Sequence, residues 1–368
     1  MTIKDKKKLK VFIPTAGIGS RLYNLTRNLN KCLIEIGHKP AISHIIENFP
    51  DNTEFVIALG FDSQKVKDFL KLTYPKKKFY FSYVDNFSGP KSSLGYSMKC
   101  SRKYLQSPFF FVACDSIFFN KINKQTRNWI GYSKVADNKN YRKLSFSNKL
   151  IISDIHEKNY KKQNLYSYVG VASILDYKKF WKGIDDASEK SRRLGEIYGL
   201  KSLCKNKKAF AKELNWYDIG NIKSYIANKK KFNNKDLNIL PKADETIWFI
   251  GDKVIKFSQN HEFIKKRVDR QKLLKKFTPK ILNYKKNFFL YQKINGEVLS
   301  KNLNLKNFKN LLKNLKKFWK EKKINQLYFE KKCNQFYKIK TQKRVSVFIK
   351  QFENEDKINL INGKKVFG

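Results

Sequence analysis

Ala16, Gly17, Gly19, Ser20 and Arg21 stand directly after an apolar, β-branched run at residues 9–14, and together they have the makings of an anion cradle. The two glycines let the backbone turn sharply and approach a ligand with no Cβ in the way, so that successive N–H groups can face phosphate oxygens. Arg21 adds a planar, permanently charged fork for the same oxygens. A second chemistry-bearing residue, Asp115, ends the apolar run 108–114, where a buried strand delivers a carboxylate to a crevice. Such a carboxylate suits Mg²⁺, which takes hard oxygen donors and shares its remaining positions with water and phosphate. Further along, Gly89, Ser92 and Ser93 form a loop ahead of a helix start, with small residues and hydroxyls able to line a flat ligand. Each feature also has a plainer reading: a tight strand-to-helix turn, an Asp opening a turn, and a serine-capped helix.

The elements that must position these residues alternate. Residues 55–60, 78–84 and 109–114 read as strands and 64–70 as a helix. That order predicts an α/β fold with a doubly wound, mostly parallel sheet. In such sheets ligands sit outside the carboxyl ends of the strands, so the glycine loop and the residues after Ala113 share one crevice.

The segment from Val11 through Arg21 and Leu22, followed by Lys31 and the pair Lys39 and Pro40, resembles the start of the nucleotidyltransferase family that makes sugar nucleotides and CDP-alcohols. The signature of that family runs G-x-G-S/T-R-L and then a lysine some way on. The fold it implies is that of the nucleotide-diphospho-sugar transferases. Asn30 stands where many members have proline before the lysine. Asn215, Trp216, Tyr217, Asp218, Ile219, Gly220 and Asn221 resemble the W-x-D-x-G-T/N motif closing the catalytic domain in the same family. The resemblance implies that Asp115 and Asp218 together hold Mg²⁺. It also implies that Arg21 and Lys31 act on the phosphates, and that the region of Gly89 and Ser92 contacts the nucleobase. Tyr168 to Ser173 resembles the strand lining the acceptor site, with Gly170 leaving room for the ligand. Glu196 is a candidate for gripping a polar or cationic group of the acceptor, and Lys158 and Lys162 are candidates for its phosphate.

The chain of 368 residues is long enough for two domains. Its formal charge of +48 invites a nucleic-acid reading, but the excess is mostly lysine spread over the whole sequence. A dedicated nucleic-acid binder would concentrate Arg and Lys beside exposed aromatics, so the expectation is no nucleic-acid partner. The charge then serves as a long-range attractor for anionic substrates. Cys32, Cys100, Cys114, Cys204 and Cys333 are scattered, with no C-x-x-C pair to suggest zinc or a disulfide framework. No long uncharged apolar run suits a membrane span, and the lysine-rich start lacks the apolar segment of a secretory signal. A cytoplasmic protein is expected.

After residue 228 the composition turns polar and charged, which predicts a boundary: a nucleotidyltransferase domain at 1–232, a linker at 233–245 and a second domain at 246–368. The second domain begins with two short strands joined at Gly251 and Asp252, then a helix and a further strand at 287–292. This order resembles the small lobe of the aminoglycoside and choline phosphotransferases, with Lys256 as the strand lysine and Glu262 or Asp269 as its helix partner. A further helix begins with Phe308, Leu311, Leu312 and Leu315, yet no histidine follows His261, so the H-G-D catalytic loop of those kinases is missing. The resemblances together imply Mg²⁺-dependent condensation of a nucleoside triphosphate with a phosphorylated acceptor, releasing pyrophosphate. The fusion favours CTP and a phosphorylated amino alcohol or phosphonate, for decorating capsule or lipopolysaccharide. A sugar 1-phosphate with UTP, dTTP or GTP is the alternative, and a non-catalytic nucleotide-binding regulator the third reading.

Overall fold

The computed structural model describes residues 8–134, 140–160, 165–187, 194–205, 208–232, 244–319 and 321–351, with a few isolated positions besides. It contains two compact units, residues 1–294 and 295–368.

The first unit is built on a nine-stranded mixed sheet. Strands β1 (Lys10–Pro14), β2 (Glu54–Leu59), β3 (Lys78–Tyr83) and β4 (Phe109–Val112) run parallel in the order β4-β1-β2-β3. Alternate residues of these strands feed separate cores on the two faces. Val11, Ile13, Phe55, Ile57, Phe110 and Val112 pack into one, and Phe12, Val56, Ala58, Phe109 and Phe111 into the other. Burial on both faces is why β1, β2 and β4 read as continuous apolar runs rather than alternating ones, whereas β3 at the sheet edge is only partly buried. Helices α1 (Ala41–Ile46), α2 (Ser63–Thr73) and α3 (Leu94–Ser101) belong to this half.

Beyond β4 the sheet turns antiparallel. After β5 (Ser116–Phe118) come β6 (Asn128–Ser133), β7 (Lys143–Phe146), β8 (Ile152–His156) and β9 (Tyr166–Ile174). Strand β9 lies antiparallel beside β4, β6 and β7. Helices α4 (Tyr177–Asp186) and α5 (Ile197–Cys204) follow, then β10 (Ala209–Glu213), which pairs with β6 in parallel. The last strand of this region, β11 (Trp216–Asp218), leaves the main sheet and pairs antiparallel with β5, after which α6 (Ile222–Phe232) begins.

A four-stranded antiparallel sheet completes the unit: β12 (Glu245–Ile250), β13 (Lys253–Ser258), β14 (Ile281–Lys285) and β15 (Phe288–Gln292), in the order β12-β13-β15-β14. Helix α7 (His261–Leu274) connects β13 to β14. Trp248, fully buried, meets Phe69 of α2 edge-on at 5.4 Å, and Phe288 joins them. Residues of this sheet therefore share a core with the α/β sheet. Lys256 pairs with Glu245 on the adjacent strand at 2.8 Å. Glu262 pairs with Lys266 and Asp269 with Lys272, so neither carboxylate expected from the helix partners Lys256. Proximity decides this: in an antiparallel ladder a residue on the next strand lies closer than one on a following helix.

The second unit contains α8 (Leu305–Phe318), α9 (Gln326–Cys333) and α10 (Lys340–Gln351). Among the described residues no helix is long and apolar enough to cross a membrane.

Candidate active site

The loop after β1 leaves the carboxyl end of a central strand, as the fold requires of a ligand site. Gly19 has φ +70, and a Cβ there would stand 3.0 Å from Thr26 Cγ2 and 3.2 Å from Lys31 Cβ. The glycine thus permits both the turn and the close approach of Lys31. Among the described residues nothing stands within 4 Å of a would-be Cβ on Gly17, which leaves its backbone open on that side. Ser20 and Arg21 are exposed at the start of a 3-10 turn, Ser20–Thr26. Asn30 fixes the next turn: its amide donates to the carbonyls of Thr15 at 2.8 Å and Phe61 at 2.6 Å, and its side-chain oxygen accepts from the Cys32 N–H. This buried asparagine ties the lysine-bearing turn to the end of β1 through hydrogen bonds, which a proline side chain could not make.

Lys31 reaches Asp115, with Nζ to Oδ2 at 2.5 Å and side chains 13% and 20% exposed. Burial works to push the Asp115 carboxyl up, but Lys31 and then Arg21 outweigh it and hold it below the usual carboxylate range. The ammonium of Lys31 is correspondingly held above its usual value: burial works to lower it, and the charge of Asp115 leads the opposing influences.

Asp218 arrives from more than a hundred residues further along the sequence because β11 pairs with β5, opposing Asp218 to Ser116, the neighbour of Asp115. The Ile219 N–H donates to the Asp115 carbonyl at 3.1 Å and locks the two turns together. Gly220 lies between the carboxylates: a Cβ on it would stand 2.7 Å from Asp115 Oδ2 and 3.0 Å from Asp218 Oδ1. Asp218 is oriented by three donors, the Gly220 N–H at 2.8 Å, the Tyr141 hydroxyl at 3.0 Å and the Asn221 amide at 3.2 Å. Burial first, and then the negative charge of Asp115, push its carboxyl above the usual range. Two converging carboxylates of which one is raised by the other make a hard-oxygen donor set with negative charge to neutralise, and this fits Mg²⁺. Among the described residues no group of three or more His, Cys, Asp and Glu gathers, so substrate oxygens or water would fill the other positions.

A cleft of about 1270 Å³ opens beside Asp218, lined among others by Arg21, Tyr141, Lys158, Trp216 and Asn221. Lys162 lies outside the described residues. Glu196 is 4% exposed, accepts from the Tyr168 hydroxyl at 3.0 Å through Oε1, and among the described residues has no partner for Oε2. Burial raises its carboxyl above the usual range, and Arg142 acts weakly the other way. Gly170 sits in a bulge of β9 with φ +71, and the room it leaves is taken by Ala113 and Ser116, 2.9 and 3.1 Å from a would-be Cβ. Ser93 supplies the N-cap of α3, accepting from the Tyr96 N–H, while the Ser92 hydroxyl donates to the Gly89 carbonyl at 2.8 Å. Tyr141 was not singled out by sequence reasoning, and no local signal marks it.

No family model matches the chain. In sequence it is similar to the bifunctional protein GlmU of Methanococcus vannielii, 29% identical over 243 residues, covering 63% of this chain and 56% of that protein. A protein of the same name from Methanocaldococcus jannaschii is 25% identical over 255 residues, covering 67% and 60%. The chain thus matches little more than half the length of these curated relatives. In structure it is similar to the CTP:phosphocholine cytidylyltransferase of Streptococcus pneumoniae, with TM-score 0.50 and 21% identity over 61% of this chain and all of that one. A putative glucose-1-phosphate thymidylyltransferase of Bacillus anthracis gives TM-score 0.52 at 19% identity over 63% and 98%. The α/β sheet with its helices has the nucleotide-diphospho-sugar transferase fold. At 21% and 19% identity these structural neighbours are likenesses of fold, and the stretch they cover is about as long as the one matched by the sequence relatives.

Proposed function

We propose that the chain is an Mg²⁺-dependent nucleotidyltransferase that joins a nucleoside triphosphate to a small phosphorylated acceptor and releases pyrophosphate. The convergence of Asp115, Asp218 and Lys31 from three distant stretches of sequence onto the end of the parallel sheet carries this reading. A phosphate or phosphonate oxygen of the acceptor attacks the α-phosphorus in line. The bond from that phosphorus to the bridging oxygen breaks, and pyrophosphate leaves with the electron pair. The backbone of Ala16, Gly17, Gly19 and Ser20 cradles the phosphates, and Arg21 meets the leaving pyrophosphate. Lys31, which pairs with Asp115, turns its charge to the transferred phosphoryl group. Asp115 and Asp218 would hold Mg²⁺, which supplies neutralisation of charge on the phosphates. Catalysis rests on positioning and charge, with no covalent intermediate.

Gly89 and Ser92 border the nucleobase in this reading, Gly170 supports the turn carrying Asp115, and Glu196 and Lys158 face the acceptor. Glu196 Oε2, without a partner among the described residues, suits an ammonium or a hydroxyl equally. CTP with a phosphorylated amino alcohol or phosphonate, for capsule or lipopolysaccharide decoration in the cytoplasm, and a sugar 1-phosphate with UTP, dTTP or GTP, therefore fit alike. The segment from β12 to β15, read as a kinase-like small lobe, has a structural role, since its Lys256 is engaged by Glu245.

The test is pyrophosphate release from a matrix of CTP, UTP, dTTP, ATP and GTP against phosphocholine, phosphoethanolamine, 2-aminoethylphosphonate and hexose 1-phosphates, with Asp115→Asn alongside. Mg²⁺-dependent release from one pair, lost in the variant, is the expected result and names the substrates. Nucleotide binding with no turnover of any pair would favour a non-catalytic regulator.

A further inference from the structure

The residues of helix α8 in the second unit are sorted by chemistry around its axis. Leu305, Phe308, Leu312 and Leu315 recur at helical spacing, with Leu311 beside them; Lys306, Lys309, Lys313 and Lys316 repeat the same spacing one residue later, with Lys317 beside them. An apolar stripe thus runs along the helix with a lysine stripe against it, and the helix contains no acidic residue. Much of the apolar stripe is open to solvent: Leu305 is 69% exposed, Phe308 45% and Leu312 43%, with Leu311 and Leu315 half-buried, and Trp319 just past the helix end is 61% exposed. From residue 295 to 351 sixteen Lys and Arg stand against three Glu, a denser positive charge than in the chain as a whole.

We propose that this helix face is a docking surface for an anionic lipid bilayer, on which α8 lies in the plane of the headgroups. Both stripes are then used at once. The leucines and Phe308 enter the acyl boundary, and the lysines, by reaching outward on their flexible stems, meet headgroup phosphates and carboxylates. Trp319 sits where an amphipathic ring is favoured, at the boundary between hydrocarbon and water. A second copy of the chain is a poor occupant because it brings the same dense positive charge. A nucleic acid would satisfy the lysines and leave the apolar stripe in water.

Trp319 supplies the readout, because the other tryptophans, Trp129, Trp181, Trp216 and Trp248, are all buried. The full chain is mixed with phosphatidylcholine vesicles with and without phosphatidylserine, and quenching of tryptophan emission by brominated acyl chains is recorded. Quenching with the anionic vesicles, absent from Trp319→Phe, is expected. The double variant Phe308→Ser/Leu312→Ser should lower the vesicle partition coefficient by roughly tenfold or more. Its circular dichroism should match that of the parent, since both side chains are exposed. Three results overturn the proposal: no association with anionic vesicles, association that leaves Trp319 unquenched, or association unchanged in the double variant. The last two mark general adsorption of a basic protein. Tight binding to single-stranded or duplex nucleic acid without vesicle binding is a case of the first result and would make nucleic acid the occupant.

Discussion

A methyl group at residue 220 would meet both site carboxylates, which makes Gly220→Ala a sharp test at the scale of one residue. The substitution should reduce kcat by about a hundredfold through displacement of reacting groups by a fraction of an ångström. The melting temperature should barely move; a variant that melts early would point to a fold defect instead. The Lys31 and Asp115 pair sets a pH window. Asp115 has a folded pKa held below its unfolded value, so its contribution to stability is present above the usual carboxylate range and lost as pH falls through the folded value. Lys31 has a folded pKa above its usual 10.5, so its contribution is present below that and lost as pH rises past it. Thermal melts across pH should therefore show a plateau with an acid and an alkaline shoulder, and Asp115→Asn should flatten both. Tyr141→Phe removes a donor from Asp218, whose carboxyl is already raised. The acid limb of the rate profile should then move to higher pH, because more alkaline conditions are needed to ionise Asp218.

At the scale of elements, two short strands decide whether the site exists. β5 and β11 are three residues each, yet their pairing is what brings Asp218 opposite Ser116. The bulge in β9 supports the same turn, with the Gly170 carbonyl accepting from the Ala113 N–H at 2.8 Å. Gly170→Ala forces a side chain into a positive φ and against Ala113, and should cost roughly 1–3 kcal/mol of stability. Urea unfolding measures it, and an unchanged midpoint would mean that the bulge relaxes freely. The strand boundaries around β1, β2 and β4 were legible because strands buried on both faces are apolar throughout, and β3 was legible from its run of aromatic residues. Strands β6 to β11 carry no such uniform run, and their mixed partners were not legible.

For the whole molecule, the sheet β12 to β15 closes over α2 through Trp248, Phe69 and Phe288. Trp248→Ala should destabilise the first unit by about 3–5 kcal/mol, the range for emptying a large aromatic site. Calorimetry on the full chain would show it as an early transition. A chain ended after residue 232 should melt lower than one ended after residue 294, because Phe69 loses its contacts with Trp248 and Phe288. Equal melting of the two would mean that this sheet adds nothing to the α/β core.

The sequence by itself determined the parallel sheet, the loop at its edge, and the types of residue at 21, 31, 115 and 218. Local spacing and apolar runs encode these directly, since a buried strand and a glycine turn each depend on a few neighbouring residues. Only the tertiary structure decided which of them meet. The Lys31 to Asp115 contact spans 84 positions, the place of Gly220 between two carboxylates depends on pairing of strands far apart, and Tyr141 reaches Asp218 across 77. Such meetings are set by register and packing, which depend on every element in between and leave no mark in any one segment. The charge of +48 shows the same division: its total is plain in the sequence, but its concentration beside an exposed apolar stripe on α8 becomes a surface only once the helix is seen uncovered.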